Sequence, residues 1–448
     1  MIPQTLRSYG RDCKGNVAII FALSLIPAVF LIGMALDFSS AMQKRSQLNA
    51  AADAAALAAV TPSMMTQSNA AAQTAATNIF NAEASAMNGV SNTSPTVTIT
   101  SSSGGLTRTA LVSYNASSVN NFPGVLGQSN WAISGSSTAT ATAAPNINFY
   151  LLLDNSPSMD LPATSAGITA MINATENAPA NGANAGGCAF ACHESNPAGD
   201  NLGNPNGEDN YTLAQNLGVV TRIQNMNTAT QSLMTTASTM EVANNVTYQM
   251  AIYTFNYSGT NTIQALTSNL TAAQTAAQGI NVLEVYDNNY LTGTNNNNDT
   301  DTDFDSAMQQ MNTIMPNPGT GAANSTPQEV LFLVTDGVED KVDSTNCSDP
   351  LSGSRCQQPF DTIWCTTMKN RGILIAVLYT EYLPLPASGV GSNSWYNTWV
   401  APFQSQIGPN MQSCASPGLF FQVTTDGDIT AAMTALFQKA VATARLSQ

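Results

Sequence analysis

The chain predicts an α/β fold: a doubly wound, mostly parallel sheet, preceded by an amino-terminal transmembrane helix, a helical stalk and a small β-rich module. Three observations carry this expectation. Apolar runs at 147–153, 248–255, 330–334, 373–379 and 419–423 lack the polar alternation of a half-solvated strand, as strands covered on both faces do. Helical patterns at 213–240, 304–315 and 429–446 fall between or after them, the alternation that builds a parallel sheet. Upstream, 17–36 is a run of 20 residues without a charge.

As a helix that run reaches about 30 Å, enough to cross the hydrocarbon of a bilayer. Arg7, Arg11 and Lys14 precede it and only Lys44 and Arg45 follow closely, so the positive-inside bias puts 1–16 in the cytoplasm and everything from Asp37 outside. A cleaved signal peptide would have a shorter apolar core and end on a small-x-small site; the expectation is an uncleaved anchor. Ala, Gln, Asn and Met then dominate 37–94, with Pro62 as a break, and this reads as a helical stalk leaving the membrane. Its core, Leu48-Asn49-Ala50-Ala51-Ala52-Asp53-Ala54-Ala55-Ala56-Leu57, either admits a close helical neighbour or is simply low in complexity. Alternating segments such as Thr96-Val97-Thr98-Ile99-Thr100 make 95–145 the small β-rich module, with 136–145 as a Thr/Ala linker. The large domain is 146–448, with polar insertions near 160–209, 340–362 and 383–418.

A chain of 448 residues with 43% hydrophobic content supports two or three units with a sizeable core. Only 9% of the residues are charged, so the surface is made of Asn, Thr, Ser and Gln, which points to an extracytoplasmic location. The 13 basic and 28 acidic residues leave a net charge of −15, which argues against nucleic acid and anionic lipid as partners and in favour of cations. Cys13 lies on the cytoplasmic side. Cys188, Cys192, Cys347, Cys356, Cys365 and Cys414 lie on the other, an even number that predicts three disulfides.

The chemistry centres on Asn148-Phe149-Tyr150-Leu151-Leu152-Leu153-Asp154-Asn155-Ser156-Pro157-Ser158-Met159. An apolar strand here delivers a carboxylate and two hydroxyls to the carboxyl edge of the sheet, where open α/β folds place their ligands. The plain alternative is a Ser-rich turn with local hydrogen bonds. The stretch resembles the first segment of the metal-ion-dependent adhesion site of von Willebrand factor type A domains, with Asp154, Ser156 and Ser158 at the matching positions. In Glu329-Val330-Leu331-Phe332-Leu333-Val334-Thr335-Asp336-Gly337, Asp336 matches the family's distal Asp. The family's Thr is followed five and six positions later by a small and an apolar residue; Thr302 has Ala307 and Met308 there, whereas Thr300 has Asp305 and Ser306. The resemblance therefore implies a metal set of Asp154, Ser156, Ser158, Thr302 and Asp336 for Mg2+, with Mn2+ and Ca2+ as the other hard cations. Magnesium takes oxygen ligands in octahedral geometry. A shell of neutral hydroxyls leaves the ion able to take a carboxylate from a protein partner.

A second resemblance covers residues 11 to 60. Gly15-Asn16-Val17-Ala18-Ile19-Ile20-Phe21-Ala22-Leu23, Ala35-Leu36-Asp37 and Asp53-Ala54-Ala55-Ala56-Leu57 are similar to the amino-terminal segment of TadE/TadG-like proteins of tight-adherence (Flp) pilus systems. It implies a single-pass protein of the bacterial inner membrane, its bulk periplasmic or at the cell surface, that works in pilus assembly or adhesion and is not an enzyme. A pilin or another pilus-assembly component is the implied partner.

The acidic run Asp299, Asp301, Asp303, Asp305 fails the EF-hand pattern, with Phe304 where Gly is needed and Gln310 where the bidentate Glu belongs, so a solvated loop is expected. Cys188-Ala189-Phe190-Ala191-Cys192-His193 holds the single His. Its three intervening residues are one too many for ordinary c-type haem attachment, so a local disulfide is expected. The competing function is a periplasmic redox protein with haem on Cys188, Cys192 and His193. One His leaves little from which to assemble a hydrolase triad or a His-ligated zinc centre.

Overall fold

The computed structural model describes residues 15–102, 105–123, 127–176, 187, 189, 209–284, 301–342, 347, 355–381, 400–424 and 426–446. The chain divides into two compact units, Met1–Ala143 and Ala144–Gln448.

In the first unit, helix α1 (Gly15–Ala58) runs unbroken through Pro27. Ile20, Phe21, Leu23, Ile26 and Leu31 on its first half stand exposed, whereas Ala41, Leu48, Ala52, Ala55 and Ala56 on its second half are fully buried. The same helix thus changes solvent along its length. Among the described residues it is the one helix long and apolar enough to cross a membrane. A short helix, α2 (Pro62–Met65), and α3 (Asn69–Ser85) fold back, with Ser68 capping α3 by accepting from the Ala71 N–H at 3.2 Å. Small residues let α1 and α3 approach each other, and Phe80 and Tyr114 fill the space beneath them. The sheet is an antiparallel meander of β1 (Val90–Ser102), β2 (Thr107–Val119) and β3 (Asn130–Thr142). Residues 136–142 are therefore strand and not linker: their Ala/Thr alternation pairs in register with β2, from Thr107↔Thr142 to Ser113↔Ser136. Asp37, at the end of the apolar run, is buried and accepts the N–H groups of Asn121 and Phe122 at 2.7 and 3.2 Å, which ties down the β2–β3 connection.

The second unit begins with β4 (Ile147–Asp154), a single 3₁₀ turn (Pro157–Asp160) and α4 (Ser165–Ala174). Then come α5 (Asn210–Asn216), α6 (Arg222–Asn244), β5 (Tyr248–Asn256), β6 (Gly259–Thr267) and α7 (Leu270–Ala277). They are followed by α8 (Phe304–Ile314), β7 (Gln328–Thr335), β8 (Val338–Val342), β9 (Arg355–Pro359) and α9 (Ile363–Asn370). The unit closes with β10 (Leu374–Thr380), α10 (Gln404–Cys414), β11 (Phe420–Val423) and α11 (Ile429–Leu446). The main sheet has the order β11-β10-β7-β4-β5-β6 and is parallel except for β6 at the edge. Counted within the unit this is the doubly wound order 3-2-1-4-5-6, with the crevice at the carboxyl ends of the central strands. Alternate residues of β4 feed opposite faces. Ile147, Phe149, Leu151 and Leu153 pack with α6, α7 and α11, whereas Tyr150 and Leu152 share the other core with α8, α9 and α10.

The helical pattern at 213–240 is two helices, because Gly218 takes a left-handed φ of +69° and ends the first. The segments read as insertions at 340–362 and 383–418 carry structure of their own, the β8–β9 hairpin and α10. Strand β6 is a half-exposed polar edge whose apolar content was too thin to register as a strand.

Among the described residues two disulfides are formed, Cys347–Cys356 beside the hairpin and Cys365–Cys414 joining α9 to the end of α10. Cys13, Cys188, Cys192 and His193 lie outside the described residues, so the third disulfide and the haem reading rest on sequence alone. In protein taken from cells, these four bonded cysteines should resist alkylation until reduced. Labelling of any of the four before reduction, read by mass spectrometry, would contradict an oxidising compartment.

Candidate metal centre

Three loops meet at the carboxyl edge of the sheet. The first leaves β4, which is flanked by β7 and β5, so Asp154 emerges at the centre of the sheet and is fully buried. Its Oδ1 accepts from the Ser156 N–H at 3.0 Å and from the Ser156 hydroxyl at 2.6 Å, and the Ser156 and Ser158 hydroxyls lie 3.0 Å apart. Its Oδ2 accepts from the Thr335 hydroxyl at 2.6 Å. Thr335 escaped the sequence reading, although its place next to Asp336 at a strand end was the available signal.

The second loop follows β7. Asp336 is fully buried, its Oδ1 accepts from the Val338 N–H at 3.2 Å, and its Oδ2 has no hydrogen-bond partner. Gly337 turns the chain at φ +78°, and a Cβ there would come within 2.6 Å of the Ile407 side chain, so both the turn and the packing require glycine.

The third loop carries Thr302, 3% exposed, just ahead of α8, which Asp303 caps by accepting from the Ser306 N–H. Thr302 and Asp340 of β8 exchange both backbone hydrogen bonds at 2.9 Å. On its other side the Asp303 N–H donates to the Asn256 carbonyl at 3.2 Å, and the Asn256 amide donates to the Asn155 side chain, also at 3.2 Å. The segments bearing Asp154, Thr302 and Asp336 are thus tied into one ring of short contacts. Thr300 and Asp299 lie outside the described residues. Of the remaining acidic run, Asp303 is the helix cap and Asp305 pairs with Lys341, which also reaches Glu339 at 3.0 Å. Those two carboxylates are engaged by the protein rather than merely solvated.

The electrostatics of the pair are unfavourable without a cation. Burial and then the charge of Asp336 push the Asp154 carboxyl above its ordinary range, against the hydrogen bonds from Ser156 and Thr335. Burial also raises Asp336, with Ser158 and the Arg222 charge opposing it. Among the described residues no three His, Cys, Asp or Glu side chains converge. The set of oxygens that hydrogen bonds bring together is instead the Asp154 carboxylate with the Ser156, Ser158 and Thr335 hydroxyls, while Thr302 is fixed through its backbone pairing with Asp340. That set suits a hard cation, and the orphaned Asp336 Oδ2 is the atom that a metal or its bound water would satisfy.

A doubly wound sheet of this order, with Asp-x-Ser-x-Ser after its first strand, is the arrangement that the resemblance to von Willebrand factor type A domains led one to expect. At the other end of the chain, residues 15–76 match the Tad family model, Flp pilus-assembly TadE/G-like. That segment contains the exposed apolar helix that is long and apolar enough to cross a membrane. No curated protein sequence matches the chain. Among solved structures, it is similar to the vWF domain of the type V pili tip protein Mfa5 from Porphyromonas gingivalis, at 10% identity and TM-score 0.34, over 68% of this chain and 97% of that one. The pilus adhesin SpaC from Lactobacillus rhamnosus GG aligns at 11% identity and TM-score 0.34, over 79% of this chain and 34% of that one. The SpRpn10 VWA domain aligns at 10% identity and TM-score 0.30, over 66% of this chain and 95% of that one.

Proposed function

We propose that this is a non-enzymatic pilus-assembly or adhesion protein of the bacterial inner membrane, with its A-type domain outside the cytoplasm. There it grips a carboxylate of a protein partner, a pilin or another assembly component, through Mg2+ held by Asp154, Ser156, Ser158, Thr302 and Asp336. The observation that carries the reading is the buried Asp336 Oδ2 without a partner, beside a second buried carboxylate whose own oxygens are aligned by Ser156 and Thr335. When bound, magnesium supplies the positive charge that lets both carboxylates stay ionised, and an open position for an incoming oxygen. The chain's own residues do the rest. Thr335 and the Ser156 N–H orient Asp154, and the β8 backbone holds Thr302 in place.

Metal and partner binding are then coupled, and by reciprocity each tightens the other by the same factor. The test is capture of partners from cells by the intact chain and by Asp154→Ala, in magnesium and in EDTA. Capture should be lost in the variant and in EDTA. Capture unchanged in both would place the interaction surface elsewhere, with the insertion around Trp395 and Trp399, outside the described residues, as the next candidate.

A further inference from the structure

In the first unit, the end of the long apolar run is not bare. Asp37 directly follows Leu36, is buried, and takes the N–H groups of Asn121 and Phe122 onto its two carboxylate oxygens at 2.7 and 3.2 Å. The β2–β3 connection is thereby fixed at the level where 17–36 stops. Gly33, one turn earlier on the same helix face, is the single buried residue of that run. The connection is a closed turn. The Asn120 N–H donates to the Ser129 carbonyl and its side-chain amide to the Gln128 carbonyl, both at 2.9 Å, and the Gly127 N–H donates to the Pro123 carbonyl at 3.0 Å. Yet the turn leaves an apolar side chain uncovered. Phe122 is 41% exposed, and Leu36 and Phe38 of α1 are 50% and 51% exposed. The Trp131 ring at the start of β3 stands edge-on to Phe38, with ring centroids 6.1 Å apart. A lone exposed Phe is ordinary on a protein surface, but these aromatics directly continue an exposed apolar helix.

We propose that this aromatic end of the first unit is seated in the headgroup layer of the bilayer that 17–36 crosses, so that the β-rich module rests on the membrane through Phe38, Phe122 and Trp131. The seat rests on the reading of 17–36 as the anchor. Headgroups add about 5–8 Å beyond the hydrocarbon on each side. Phe38 lies about 3 Å along the helix from Leu36, within that layer, and the hydrogen bond to Asp37 holds Phe122 to the same level. Trp collects at this depth, and Phe inserts there from interfacial surfaces. Pairing Asp37 with two N–H groups also offsets the cost of a carboxylate beside hydrocarbon. The seat is apolar rather than electrostatic, because the cations that follow the span are engaged by the protein. Lys44 donates to the Ser118 hydroxyl and the Val119 carbonyl at 3.2 and 3.1 Å, and Arg45 to the Ser134 carbonyl at 3.0 Å. The net charge of −15 likewise disfavours anionic lipid as the attraction. Aromatic anchors on one side of α1 then set its tilt and its rotation in the bilayer.

The experiment reads tryptophan emission from the full-length chain reconstituted into phosphatidylcholine vesicles, with and without lipid brominated on the acyl chains near the headgroup. The proteins are wild type, Trp131→Phe, Phe122→Trp and Ser63→Trp. Ser63 is the control, since it lies beyond the far end of α1, about 33 Å along the helix from Leu36. Brominated lipid should quench most of the emission that Phe122→Trp adds and the component that Trp131→Phe removes, and should leave the emission added by Ser63→Trp unchanged. The loss should be the same in vesicles that contain phosphatidylglycerol, and quenching confined to those vesicles would overturn the apolar seat. If Trp131→Phe does not fold, Phe122→Trp reads the seat by itself. A chain that floats with the vesicles while Phe122→Trp stays unquenched overturns the seat and leaves the anchor standing. A chain that does not float with them overturns the anchor reading and the seat with it. Equal quenching of Ser63→Trp means lipid contact that is not confined to this end, which also overturns the seat. Phe122→Trp emission that shifts to the blue only as chains associate, without quenching, overturns it in favour of a second copy of the chain.

Discussion

Magnesium at a hundred times its dissociation constant should stabilise the wild-type chain at pH 7.5 by about 2.7 kcal/mol more than it stabilises Asp154→Ala. The size follows from linkage, since an ion that binds only the folded state shifts unfolding by the logarithm of its saturation. Asp154 is the residue to remove because it meets the other members of the set on both sides, Ser156 through Oδ1 and Thr335 through Oδ2. In EDTA the variant loses the repulsion between Asp154 and Asp336 but strands the Thr335 hydroxyl, a buried group whose lost partner costs about 1–3 kcal/mol. These effects oppose each other, so the metal-free variant should stay folded. Thermal unfolding in magnesium chloride and in EDTA reads the difference directly. Equal magnesium shifts in both proteins would remove Asp154 from the metal set.

The second large effect is a pH dependence seated in the sheet and away from the metal loops. Glu329 of β7 is 2% exposed, and its Oε1 accepts from Asn148 on the neighbouring strand β4 at 3.0 Å. Burial pushes its carboxyl up to about 7, with hydrogen bonds from Asn148 and Tyr150 opposing. Below about pH 4.5 the group is neutral both folded and unfolded. Between there and pH 7 the unfolded chain releases the proton while the folded chain keeps it, so stability is lost as pH rises. At about 1.4 kcal/mol per pH unit, the loss is on the order of 2–3 kcal/mol. Glu339, also raised to about 7, has the same sign and adds to the wild-type slope. Glu329→Gln keeps an acceptor for Asn148 and removes the charge. Relative to wild type it should gain about 2–3 kcal/mol between pH 5 and pH 8, measured by urea denaturation in EDTA. A gain that is the same at both pH values would show that Glu329 does not change its protonation on unfolding.

The order of apolar runs determined the doubly wound sheet, because strands covered on both faces must be apolar throughout and few other segments of the chain are. The same logic made 17–36 legible as a span and Asp154 and Asp336 legible as strand-end carboxylates. The edge strand β6, the β8–β9 hairpin and α10 were not legible, since a polar or mixed segment that packs on only one side has no distinctive period. Nor was the continuation of β3 through 136–142, where Thr and Ala suit a linker until β2 supplies a partner. Within the site, the five donor residues could be picked out as types at a spacing. Only the folded chain decided that Thr335 aligns Asp154, that Asp340 grips Thr302 by its backbone, and that Asn155 and Asn256 join the loops, because those contacts span up to 181 residues. Sequence left Asp160 at the edge of a segment read as a polar insertion; the tertiary structure alone buried it without a hydrogen-bond partner, because burial is a property of packing that no local pattern encodes.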